Sequence, residues 1–147
     1  MANSFSFDQF KSSSQWLIKN TPKDSIVLHG CWSEFPILFY HNDHNYYIVG
    51  LDPTFMYEYD KNLFWEWKNI TFGDPPVNYD YAKKKKKLGD KLVVPEYNLA
   101  EIIKDDFSAS YVFLEKERNK ELNKVLEKNK DFEMVYEDEE AVVYKIQ

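Results

Sequence analysis

A chain of 147 residues, 44% hydrophobic and 30% charged, suits one domain with a sizeable core. A net charge of −6 argues against general nucleic-acid binding, and with Arg118 the only arginine among 19 basic residues, a bidentate phosphate clamp has little to draw on. A single cysteine, Cys31, excludes an internal disulfide, and no apolar run approaches the roughly 20 residues of a membrane span.

The N-terminus, "MANSFSFDQF", has neither a basic stretch nor a long apolar one, so it does not read as a signal peptide. Phe7, Phe10, Leu17 and Ile18 fall at helical spacing and predict a first helix over 7–20, stopped by Asn20-Thr21-Pro22. "SIVLHG" predicts a buried-type strand over 25–30. Ser33 reads as the cap of a short helix over 34–41, with Pro36 in its tolerant first turn. "NDHN" is a turn, and "YYIVGL" predicts a second strand over 46–51. Asp52-Pro53 is a helix start, and Met56, Tyr59, Leu63 and Trp67 carry that helix to about Lys68.

Residues 73–95, with Gly73, Pro75-Pro76, the run Lys83 to Lys87, Gly89 and Pro95, read as a long irregular lysine-rich loop. Asn98 and Glu101 resemble a capping box before a helix through Phe107. "SYVFLE" predicts a third strand over 110–115, Leu122, Val125 and Leu126 a helix over 118–129, and "FEMVYEDEEAVVYKIQ" a terminal hairpin. Strands alternating with helices imply parallel strands. The expected fold is therefore one α/β domain over 1–147. It would be a three-layer Rossmann-like sandwich with a mostly parallel sheet, closed by an antiparallel C-terminal hairpin with the last strand at an edge. No G-x-G-x-x-G follows the first strand, so no dinucleotide cofactor is expected, nor any other.

In such a sheet ligands bind beyond the C-terminal ends of the strands. Two of those ends lie in Val27–Asp60, a stretch that holds all three histidines and the only cysteine. The candidate ligand-binding residues are His29, Trp32, Glu34, Asp52 and Thr54. Trp32, just past a strand end, is the aromatic best placed to stack on a sugar ring. Each candidate has a plainer reading. Asp52 is foremost a helix cap, and Glu34 in a first turn suits the helix dipole. Cys31 near His29 lacks any motif of a catalytic thiol and reads as a small buried group. His41, Asp43 and His44 have metal-ligand chemistry, but nothing fixes their rings together, so no metal site is expected. Lys83 to Lys87 reads as a solvated run, with anionic lipid headgroups as its other use. Asn69-Ile70-Thr71 fits a glycosylation sequon, a match that also arises by chance.

The segment "WLIKNTPKDSIVLHGCWSEFPILFYHNDHNYYIVGLDPTFMYEYDKNLFWEW" resembles the C-terminal soluble region of certain bacterial polytopic membrane proteins, the GT-C glycosyltransferases similar to dolichyl-phosphate-mannose protein mannosyltransferases. "EFPILFY" and "GLDPTFMY" are its most specific parts; "DFSASYVFLEKE" and "FEMVYEDEEAVVYKI" look like the closing segments of the same region. The resemblance implies a domain on the extracytoplasmic face, tied to the membrane through a parent chain whose catalytic acid lies elsewhere. It also implies acids where this chain has Cys31 and Ser33, a departure that weakens any shared chemistry there. The expectation is a non-catalytic accessory domain for acceptor or glycan binding, or for assembly, with a glycan or lipid-linked sugar as partner and no nucleic acid. The alternatives are a small stand-alone hydrolase acting on a glycan or ester through Glu34, Asp52 and His29, and a protein-binding domain without a sugar role.

Overall fold

The computed structural model describes residues 6–50 and 52–147. In chain order the elements are α1 (Lys11–Asn20), β1 (Ile26–His29), a 3-10 turn (Trp32–Glu34), α2 (Phe35–His41) and β2 (Tyr46–Tyr47). Then come α3 (Pro53–Tyr59), α4 (Lys61–Thr71), α5 (Tyr79–Leu88) and a 3-10 turn (Gly89–Lys91). The last are α6 (Leu99–Phe107), β3 (Ala109–Glu115), α7 (Lys120–Glu127), β4 (Phe132–Glu137) and β5 (Ala141–Ile146). Among the described residues no helix is long and apolar enough to cross a membrane.

The chain is α/β, but the expected mostly parallel, Rossmann-like sheet is not what forms. The sheet has five strands in the order β2-β1-β3-β5-β4. β1 lies parallel to β2 and to β3, whereas β5 runs antiparallel to both β3 and β4. The last strand is therefore inside the sheet and β4 is at the edge, the reverse of the expectation. The physical reason lies in the two sequences. β5 reads Ala-Val-Val-Tyr without a polar break, and all four residues are buried. β4 reads Phe-Glu-Met-Val-Tyr-Glu and leaves its glutamates exposed. A strand apolar on both faces gains most between two neighbours, so β5 displaces β4 from the side of β3.

Side chains alternate across the sheet and feed two apolar clusters. Val27, Tyr111, Phe113, Ala141 and Val143 pack with Phe10 and Leu17 at α1 and with Ile37 and Leu38 of α2. Leu28, Val112, Leu114, Val142 and Tyr144 pack on the other face with Trp67 and Ile70 of α4, Ile103 and Phe107 of α6, and Leu122 and Leu126 of α7. The period of two in the strands thus sends successive residues to opposite helical layers.

Three further expectations need correction. The long helix after Asp52 is two helices. Asp60 takes extended backbone (φ −152°, ψ 105°) and accepts from the amides of Asn62 at 2.9 Å and Leu63 at 3.1 Å, capping a new helix in mid-stripe. Strand 46–51 shrinks to two residues, and Leu51 lies outside the described residues. The lysine-rich loop contains α5, capped where Asn78 Oδ1 accepts from the Tyr81 amide at 2.9 Å. Lysine is a good helix former, and its charges sit toward the C-terminal end, where the helix dipole favours them.

Glu66 of α4 feels the Asp106 carboxyl of α6. Burial first, then the hydrogen bond and charge of Asp106, push the Glu66 carboxyl up to about 8. The folded state holds this proton where the unfolded chain, at its ordinary value of 4.5, has released it. The stability contributed here is therefore full at acid pH and declines as pH rises from about 5 through about 8. Glu66→Gln should flatten that slope and raise stability near pH 8 by about 1 kcal/mol, a figure kept low because solvent screens a partly exposed group. Urea midpoints at the two ends of that range check it, and an equal shift at both would contradict a raised Glu66 carboxyl.

Candidate functional site

β1 and β3 lie side by side with His29 opposite Phe113, so their C-terminal ends open at one edge of the sheet. After His29 the chain passes through Gly30 and Cys31 into the 3-10 turn Trp32–Glu34. After β3 it passes through Lys116, Glu117 and Arg118 to Asn119, which precedes α7. Gly30 is where the two segments meet. A Cβ there would stand 2.3 Å from the Asn119 Nδ2, so only glycine lets the carboxamide lie against the backbone.

His29 is fully buried. Its Nδ1–H donates to the Cys31 carbonyl at 2.8 Å, and Nε2 lies 3.0 Å from the Val49 carbonyl and 3.4 Å from the Val49 amide nitrogen. The ring therefore ties the chain beyond β2 to the end of β1 where no backbone ladder does so. Glu34 Oε2 lies 3.5 Å from Nδ1. The Tyr47 ring meets the imidazole edge-on at 5.7 Å, and the Trp67 indole donates to the His29 carbonyl at 3.3 Å.

Glu34 is 3% exposed, and among the described residues neither of its carboxylate oxygens has a hydrogen-bond donor; the Oδ1 of buried Asn119 is likewise without one. Unpaired acceptors in a dry place are costly, so their occurrence together marks a spot that fold stability alone does not account for. At the rim above them Arg118 arrives from β3. Its Nη1 donates to Cys31 Sγ at 2.9 Å and Ser33 Oγ at 2.6 Å, and its Nε lies 3.5 Å from Glu115 Oε2. Burial pushes the Glu115 carboxyl up, Arg118 pulls it back, and Glu34 adds to the rise. Trp32, 46% exposed, projects from the same turn.

The structure thus brings His29, Trp32 and Glu34 to one strand edge and leaves Asp52 and Thr54 to each other. Asp52 caps α3, accepting from the Thr54 amide at 2.8 Å and the Thr54 hydroxyl at 2.7 Å, and these bonds hold its carboxyl below the ordinary range. With Glu34 buried and Asp52 spent on its own helix, two exposed carboxylates facing one cleft do not form. Ser33 makes no cap; its hydroxyl faces Cys31 at 3.1 Å and Arg118. His41 Nε2 is bonded to the Phe7 carbonyl and His44 Nε2 to the Thr21 carbonyl at 2.8 Å. Among the described residues no three metal-ligating side chains gather.

Sequence reasoning missed Glu115, Arg118 and Asn119. The signal was present: they follow the third strand, and the rule that placed a site after β1 applies equally to β3. Arg118 was also conspicuous as the only arginine. Comparison with protein-family models, with curated proteins and with solved structures finds no match to this chain.

Proposed function

We propose that this domain is a non-catalytic accessory module of a membrane glycosyltransferase-like protein, and that it holds a glycan or lipid-linked sugar at the shared edge of β1 and β3. One observation carries the reading. An exposed indole, Trp32, stands on the same turn as a convergence of Arg118, Ser33 and Glu115, backed by the donor-less acceptors of Glu34 and Asn119. Sugars ask for this pairing: a flat aromatic face for the ring, with donors and acceptors side by side for the hydroxyls. The resemblance of "EFPILFY" and "GLDPTFMY" to segments of such proteins supports the parent. Glu34 is buried and Asp52 caps α3, so the pair that a hydrolase reading would use does not face one cleft, which favours binding over hydrolysis.

Titration with free and lipid-linked mannosides, followed by tryptophan fluorescence, tests this. The expected result is a saturable shift that Trp32→Ala weakens about tenfold, the loss of one aromatic stacking contact. Arg118→Gln should also weaken it. The absence of any shift with either form of mannoside, in a folded protein, would sink the sugar reading. The parent is tested separately, by whether the reading frame continues upstream into a series of membrane helices.

A further inference from the structure

The residues around α5 are not used by the site above and are unlike the rest of the chain. From Lys83 to Val94 there are six lysines against one aspartate, in a protein of net charge −6, so positive charge is gathered here and negative charge elsewhere. The helix is docked by its first turn. The Tyr79 ring lies near Tyr57 and Trp65 at 6.4 Å from each, and the Asp80 amide donates to Asn62 Oδ1 at 3.3 Å. Lys83, Lys84 and Lys87 then line one outward recess with Asp80, at the spacing of a single helix face.

Elsewhere the chain sets a carboxylate three residues before a lysine and the pair closes, as in Glu117–Lys120 at 3.0 Å and Glu121–Lys124 at 2.9 Å. Among the described residues none of Lys83 to Lys87 pairs with a carboxylate. Immediately after them Leu88, Val93 and Val94 are 53%, 83% and 41% exposed. Unpaired ammonium groups followed by uncovered aliphatic side chains match the two layers of a bilayer surface, anionic headgroups outside and acyl chains just beneath.

We infer that α5 and the segment through Val94 form a docking surface for an anionic lipid bilayer. Charge complementarity and the adjoining apolar residues choose this occupant. A nucleic acid would meet the negative remainder of the chain, would find its only arginine committed at the strand edge, and would gain nothing from Leu88, Val93 and Val94. The surface is independent of the sugar site. It would set the height and tilt of the domain on a membrane whatever the strand edge binds.

Co-sedimentation of the 147-residue chain with vesicles tests it. The chain should bind vesicles of phosphatidylcholine with about one-third phosphatidylglycerol and not phosphatidylcholine alone, and raising salt from about 0.1 M to about 0.5 M should release it. Lys83→Gln, Lys84→Gln and Lys87→Gln together should weaken binding about a hundredfold, from roughly fivefold per lysine. Glutamine keeps the helix propensity, so circular dichroism should show the fold intact. Val93→Ser with Val94→Ser should weaken binding with no change in salt dependence. Equal binding to neutral vesicles, an unaffected triple variant, or competition by a single-stranded oligonucleotide as strong as by vesicles would overturn the inference.

Discussion

Replacing His29 by leucine should lower the unfolding free energy by about 3–5 kcal/mol, because it leaves a buried carboxylate without the group that faces it. Leucine is close enough in volume that a cavity contributes little. What is lost is polar. The Cys31 carbonyl loses its donor, the Val49 carbonyl loses its partner, and Glu34 loses the imidazole at 3.5 Å. Removing the acid instead has another outcome. Glu34→Gln keeps the shape, discharges the buried group and supplies an amide donor, so stability should hold or rise while mannoside binding falls. Leucine at both positions should be less damaging than leucine at His29 alone, since no charge is then stranded. Urea unfolding of the three variants reads all of this. A loss under about 1 kcal/mol for His29→Leu would mean that the ring only fills space.

Phe113→Ala should cost a comparable 3–5 kcal/mol, roughly, through a cavity at the middle of the sheet. Phe113 lies on β3 between His29 of β1 and Val143 of β5 and is fully buried. Its ring meets Phe10 edge-on at 5.1 Å, and Phe10, at φ 61°, is the left-handed residue from which α1 starts. The loss should be lopsided. Amide exchange in α1 should accelerate more than in α6, which packs on the opposite face with Val112 and Leu114. Phe113→Leu, nearer in volume, should cost under about 1.5 kcal/mol. Uniform acceleration on both faces would contradict two separable clusters.

What could be read beforehand divides along physical lines. Elements whose pattern is local were legible: β1, β3, the hairpin, α6 with its Asn98 cap, and α3 with its Asp52 cap. Those decided by competition were not. Met56, Tyr59, Leu63 and Trp67 keep a helical stripe across Asp60, yet the aspartate finds two amides to cap and turns the chain, leaving Tyr59 88% exposed. Lys83 to Lys87 read as part of a loop because Gly73, Pro75-Pro76, Gly89 and Pro95 surround them, but a lysine helix capped by Asn78 and with its charges at the dipole's negative end forms between those breakers. "YYIVGL" has strand composition, yet only Tyr46 and Tyr47 pair, because farther along the His29 ring takes the place of a ladder partner. The sheet order was read wrongly, with the last strand placed at an edge. The exposed glutamates of β4 and the unbroken apolar run in β5 are the local signals that a reading by strand–helix alternation overrode. Of the site, the turn after β1 was readable. The contribution from β3, some 85 positions downstream, required knowing that the two strands are neighbours.

The two free margins of the sheet are β2 and β4. The first offers two residues; the second is broken by an irregularity between Met134 and Tyr136 and carries exposed Glu133 and Glu137. Among the described residues neither presents a long, flat row of unpaired backbone groups, while the most apolar strands, β3 and β5, are enclosed. Fibril seeding and strand exchange between molecules both begin at such a row. A chain this rich in aromatic residues would be prone to both if β5 lay outermost. The inversion that defeats the Rossmann-like order thus also keeps the two most apolar strands off the free margins, where templated misassembly would start.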